Sequence, residues 1–107
     1  MRQRSHNDVD DLERLVEQVA ERLRDLSDAR QRVVEAQVGR LLAALAAVAL
    51  RAEGEPGHPV PRVGRQALAD QVEVLGRDLV AALRARPSND LAAQGYDVLV
   101  SIRRALP

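Results

Sequence analysis

Three glutamates and two histidines are the side chains whose types and spacing could perform chemistry. Glu13, Glu17 and Glu21 recur every four residues, so on a helix their carboxylates align and could hold a divalent metal. Helical carboxylate metal centres also use inward-facing Glu-x-x-His pairs, whereas His6 and His58 lie outside the helical pattern. We interpret the glutamates as a solvated acidic face, and the sequence predicts no metal and no cofactor.

Acid-base and nucleophilic chemistry also find little support. His58 follows Gly57 and precedes Pro59, without a sequence neighbour to act with it as a general base. Ser27 and Ser88 are interpreted as helix caps. The chain has no cysteine and no lysine, which excludes disulfides, thiolate sites, Schiff bases and a Walker A lysine. The sequence therefore predicts that the protein is not an enzyme.

Composition indicates one folded domain without an overall electrostatic field. The 107 residues are 46% hydrophobic and 30% charged, and 16 basic residues balance 16 acidic ones. This balance argues against attraction to nucleic acid or to an anionic membrane. The use of Arg in place of Lys, with abundant Ala, indicates a bacterial high-GC coding bias. Residues 1–7 are polar, are predicted to form a flexible arm and do not resemble a signal peptide, so we expect a cytoplasmic protein.

Helically spaced apolar residues predict an all-α fold with a long, coiled-coil-like N-terminal segment. The seam starts at Leu12 and follows steps of four and three to Leu26. It continues through Arg30, interpreted as a polar position that sets the register while its stem packs. A Pro- and Gly-rich loop is predicted at 53–62, and further helices at 63–86 and 88–106. No internal repeat is recognised in the sequence.

The segment 8–52 could form one helix, or two helices broken near residue 27. No Gly or Pro lies near Ser27, so the sequence favours one helix of about 44 residues, roughly 66 Å long. A compact chain of this size has a radius of gyration near ~13 Å and could cover only one side of such a rod. We therefore predict an antiparallel bundle completed by dimerisation. The predicted oligomer interface is Leu41, Leu42, Leu45, Val48 and Leu50.

Residues 66–83 contain the most motif-like stretch. It resembles the helix-turn-helix signature of bacterial transcriptional regulators. The positions that match this signature are Leu68, Ala69, Val74 and Leu79. The resemblance implies major-groove contacts by Arg77, Asp78 and Ala81. However, Glu73 stands where the turn usually has Gly, and the periodicity from 68 to 83 favours one straight helix.

The favoured function is therefore a non-enzymatic protein–protein interaction module that acts as a homo-oligomer, most simply a dimer. Such a module would be an adaptor, a structural subunit or a small regulatory partner, and it could also bind another protein. A DNA-binding regulator is the alternative. A third hypothesis, a small enzyme with an arginine-lined anion pocket, draws on a resemblance to chorismate mutase-like helical dimers. That family's pocket normally includes a lysine, which this chain lacks.

Overall fold

The structure, a computed structural model, describes residues 9–54 and 68–107 and forms four helices there. They are α1 (Val9–Asp25), α2 (Asp28–Glu53), α3 (Leu68–Ala85) and α4 (Asn89–Ala105). The described residues include no strand, so the all-α prediction is confirmed. The predicted arm 1–7 with His6, residues 55–62 of the predicted loop with His58, and residues 63–67 of the predicted third helix lie outside the described residues.

The predicted continuous helix over 8–52 is wrong, because α1 ends at Asp25 and α2 begins at Asp28. The Ser27 hydroxyl oxygen accepts a hydrogen bond from the backbone N–H of Arg30 at 3.3 Å and caps α2. The Gln31 amide donates to the carbonyl oxygens of Leu23 (3.3 Å) and Leu26 (3.2 Å). Side chains thus satisfy backbone groups on both sides of the break, without a Gly or Pro.

The ends of α2 and α4 follow from the same local chemistry. The Ser88 hydroxyl oxygen accepts the backbone N–H of Leu91 at 3.2 Å and caps α4. At the end of α2, Gly54 has a φ of 75°, a left-handed conformation that residues with a Cβ rarely adopt. Its N–H donates to the carbonyl oxygen of Leu50 at 3.1 Å. The helix therefore stops at the glycine.

Each helix of the first half packs on both helices of the second half. α1 and α2 both contact α3 and α4, whereas α1 and α2 make almost no contact with each other. The shared core is built from Leu, Val, Ala and Ile, and its completely covered side chains include Val19, Leu45, Leu79 and Ile102. The second half of the chain thus covers the apolar side of the first.

The compact shape removes the argument for a second chain. The Cα radius of gyration is 13.5 Å and the extents are 45 × 32 × 16 Å. Because the chain breaks at Ser27, the segment forms two shorter helices, and both pack on α3 and α4. The prediction of dimerisation rested on one long helix with an uncovered side, and the described residues form no such helix. Arg30, predicted to lie on a packed seam, is instead exposed in the first turn of α2.

A glycine sets the distance between α1 and α3. A Cβ placed on Gly76 would lie only 2.5 Å and 2.6 Å from the two methyl carbons of Val16. The valine therefore occupies the space that any side chain at 76 would need. The two helices approach closely because one contact position has a branched side chain and the other has none.

We expect Leu45→Ala to lower the free energy of unfolding by about 2–5 kcal/mol, because Leu45 is fully buried and its removal leaves a cavity. Urea denaturation measures this loss. The matched control is Val33→Ala in the same helix, where the side chain is 84% exposed and the change should stay within about 0.5 kcal/mol. Equal losses in the two variants would contradict the packing described.

Gly76→Val should destabilise the protein by about 1–3 kcal/mol through overpacking against Val16. The double variant Val16→Gly with Gly76→Val moves the same side chain to the other side of the contact and should recover much of the loss. Urea denaturation of both single variants and the double variant tests the coupling. Losses that simply add would show that the two residues do not share one space.

Candidate functional site

Two arginines join α1 to α3, one at each end of this helix pair. Arg24, in the last turn of α1, donates to Glu73 at 2.6 Å and to Asp70 at 3.3 Å. These hydrogen bonds, to Glu73 first and then to Asp70, raise the pKa of the Arg24 guanidinium above its ordinary value. Because Arg24 and Asp70 are exposed and Glu73 is half-buried, water screens these ion pairs and they contribute only modestly to stability.

The opposite end has the same arrangement. Arg84, near the end of α3, donates to Glu13 at 3.2 Å and to Asp10 at 3.0 Å in the first turns of α1. Its pKa is likewise raised, by the bond to Glu13 first and then by the bond to Asp10. Each helix therefore ends beside the start of the other.

These pairs reveal an internal repeat that sequence analysis missed. One constant spacing relates Asp10 to Asp70, Glu13 to Glu73 and Arg24 to Arg84. The same spacing relates Val16 to Gly76, so this close contact between α1 and α3 lies between equivalent positions. Few residues are identical between the halves, which hides the repeat in the sequence. The chain thus folds as two related helix pairs packed against each other.

The capping serines extend the repeat to α2 and α4. Five positions of α2 and five of α4 lie at the same distances from Ser27 and Ser88, respectively, and point outward. All ten of these residues are exposed. The positions in α4 are polar: Asp90, Gln94, Asp97, Ser101 and Arg104. Their equivalents in α2 are almost all apolar: Ala29, Val33, Ala36, Arg40 and Ala43. The outward face of α2 therefore differs in character from its own counterpart in the same chain.

We call this apolar stripe the outer seam of α2, and define it as Ala29, Val33, Ala36, Arg40, Ala43, Ala47 and Leu50. Its steps alternate between four and three residues, the spacing of a helix-packing seam. Val33, at 84%, is the most exposed large apolar residue described, and Leu50 is half-buried. The buried residues of α2 lie on its other side, so the helix presents a seam to solvent as well as one to the core.

The five predicted interface residues divide between the core and the surface. Leu42, Leu45 and Val48 are buried in the core that α2 shares with α3 and α4, so a second chain cannot reach them in this fold. Leu41 is half-buried and packs against the same core, whereas Leu50 is half-buried on the outward side of α2. The predicted interface residues therefore lie mostly on the core side of α2.

The helix-turn-helix alternative lacks its turn. α3 runs without a break from Leu68 to Ala85, through the position where the motif requires a turn. Arg77, Asp78 and Ala81 are exposed on this straight helix, and Arg77 donates to Glu73 at 3.0 Å. The geometry that would place these residues in a major groove is therefore not formed.

A shallow groove of about 310 Å³ lies beside the end of α1. Its lining combines two arginines, Arg22 and Arg103, with Glu21 and Asp25, and Arg22 donates to the backbone oxygen of Pro107 at 2.8 Å. Equal numbers of acids and bases do not favour an anionic substrate.

Among residues 9–54 and 68–107, no three potential metal ligands come together. Glu13 faces Arg84, and Glu17 is exposed.

α2 is long and apolar enough, by composition alone, to cross a membrane, and no other helix in the described part of the chain meets that criterion. Core helices of soluble proteins also meet it, and one third of the most apolar window of α2 is buried inside the bundle.

Comparisons of the chain with protein-family models, with curated proteins and with solved structures found no match.

Arg24→Gln and Arg84→Gln should lower the melting temperature by similar amounts, because the repeat gives them equivalent ion pairs. We expect both losses to shrink in about 1 M salt, where the screening length is only ~3 Å. Arg40→Gln, at an exposed position in the middle of α2, is the matched control and should have a smaller effect. Calorimetry at low and high salt makes the comparison, and unequal losses from Arg24 and Arg84 would argue against the repeat.

Proposed function

We propose that this chain is a non-enzymatic interaction module that binds another polypeptide helix on the outer seam of α2. In this proposal the bundle is antiparallel. Arg24 near the end of α1 contacts the start of α3, and Arg84 near the end of α3 contacts the start of α1, which supports this arrangement. The bundle acts as a rigid support for the seam. We place this activity in the cytoplasm.

The observation that supports the proposal most is the contrast between α2 and α4. Composition bias alone would make both outward faces rich in Ala, yet the corresponding positions of α4 are polar throughout. An outward stripe that is apolar at every position except Arg40 is typical of an interaction surface. Alanines along the stripe allow a second helix to approach closely, and Val33 and Leu50 provide larger contacts near its two ends.

The size of the seam fits a helix as its ligand. From Ala29 to Leu50 the seam is about 32 Å long, because each residue advances the helix by ~1.5 Å. Recognition of a helix by such a stripe uses side chains at steps of three and four, which is the spacing that the seam has. A flat row of small side chains has no cavity for a small molecule. A second helix laid along it would cover all seven positions.

Binding can be measured with synthetic amphipathic peptides of about 21 residues, whose seam positions are Ala and Leu and whose flanking positions are Glu, Gln or Lys. We expect at least one peptide to bind the full chain, by fluorescence anisotropy. Ala43→Tyr should weaken binding by about tenfold or more, because the ring holds the two helices apart.

The matched control is Ala81→Tyr on the exposed side of α3, which should leave binding unchanged. Circular dichroism establishes that both variants keep the fold. Light scattering gives the mass of the parent chain and of Ala43→Tyr. A monomeric parent chain that binds none of the three peptides would overturn the proposed function.

A further inference from the structure

We infer that the helix bound by the outer seam belongs to a different polypeptide and carries acidic residues beside its apolar stripe. This inference rests on the proposed function and names the partner of the same surface. It depends on the charge of the seam, on the position of Arg40 within it, and on the small size of its apolar side chains.

The charged side chains that α2 itself has on and beside the seam are all arginines, whereas the neighbouring outward face of α4 has Asp90 and Asp97. Arg40 lies on the seam itself, and Arg32 and Arg51 lie beside it. At ~100° per residue, the acids of α2 lie about 100° or more around the helix from the centre of the seam. Those acids are Asp28, Glu35 and Glu53. Along this face, a partner helix would therefore meet guanidinium groups and no carboxylate from α2 itself.

The α4 helix holds one of these arginines in place. Arg51 donates from its Nη2 atom to the Gln94 side-chain oxygen at 2.5 Å. A guanidinium has five N–H donors, so this bond leaves others for a carboxylate of the partner. A planar guanidinium held in this way can bind a carboxylate through two parallel hydrogen bonds. Arg51, beside the C-terminal end of the seam, thus has N–H donors left for an acidic side chain.

A second copy of the chain fits this face poorly. In a symmetric pair each residue at the centre meets its own copy. Arg40 is the middle position of the seam, so two centred seams would bring two Arg40 side chains together, in either helix orientation. Like charges facing each other disfavour that pairing, whereas glutamates or aspartates opposite Arg40 favour a different partner.

An anionic membrane is the other surface that attracts arginines, but the seam has no aromatic residue and only one leucine, the half-buried Leu50, to insert into lipid. Helices that lie on membranes bury Trp, Phe and Leu. Here the fully exposed apolar side chains are alanines and one valine, Val33. Such small residues add little buried area in lipid, whereas they permit close packing against another helix. The apolar composition therefore favours a polypeptide.

The experiment measures the Glu, Gln and Lys peptides on the full chain at low and moderate salt. The Glu peptide should bind at least about tenfold more tightly than the Gln peptide, and the Lys peptide should bind most weakly. Added salt should reduce this preference. Arg40→Glu should weaken binding of the Glu peptide by about tenfold and strengthen binding of the Lys peptide.

The control variant is Arg104→Glu, which makes the same change of charge at the equivalent region of α4 and should alter neither affinity. Equal binding of the Glu and Gln peptides, or no effect of Arg40→Glu, would overturn the acidic partner while leaving the interaction module in place. A parent dimer that Ala43→Tyr dissociates would assign the seam to a second copy. Seam-dependent binding to phosphatidylserine vesicles in preference to the Glu peptide would assign it to a membrane.

Discussion

The close contact between Val16 and Gly76 is the constraint on which the packing of α1 against α3 depends. Because Gly76 has no side chain, α1 and α3 approach until the valine methyl groups fill the space of a Cβ. At that separation the arginine near the end of each helix reaches the acids at the start of the other. A chain with two valines here would push the helices apart, and one with two glycines would leave a gap.

The two halves of the chain share one arrangement of helices and differ in the polarity of their outward faces. Asp10, Glu13 and Arg24 have identical counterparts in α3, and a serine caps the second helix of each half. The outward positions of α2 and α4 share a spacing but differ in polarity. Because exposed positions contribute little to folding, they are free to diverge, and the difference there carries the functional proposal.

Much of the local structure could be predicted from the sequence, because it depends on neighbours within a few residues. The serine caps, the periodicity of α3 and the all-helical class follow from such short-range rules. The break at Ser27 could not be chosen in the same way. The Gln31 amide satisfies the carbonyl oxygens of Leu23 and Leu26 on the α1 side of the break. The break is favourable only because α3 and α4 cover the apolar sides of α1 and α2.

By itself the sequence determined an all-helical protein without thiol or lysine chemistry, with a helical segment at 41–50 that is apolar on more than one side. Only the tertiary structure decided which side of α2 lies in the core. Leu45 and Val38 face α3 and α4, while Ala36 and Ala43 face solvent, although both sets recur at helical spacing. Helical periodicity shows which residues share one side of a helix, but not which helix or solvent lies against that side. Burial depends on contacts between residues far apart in the chain.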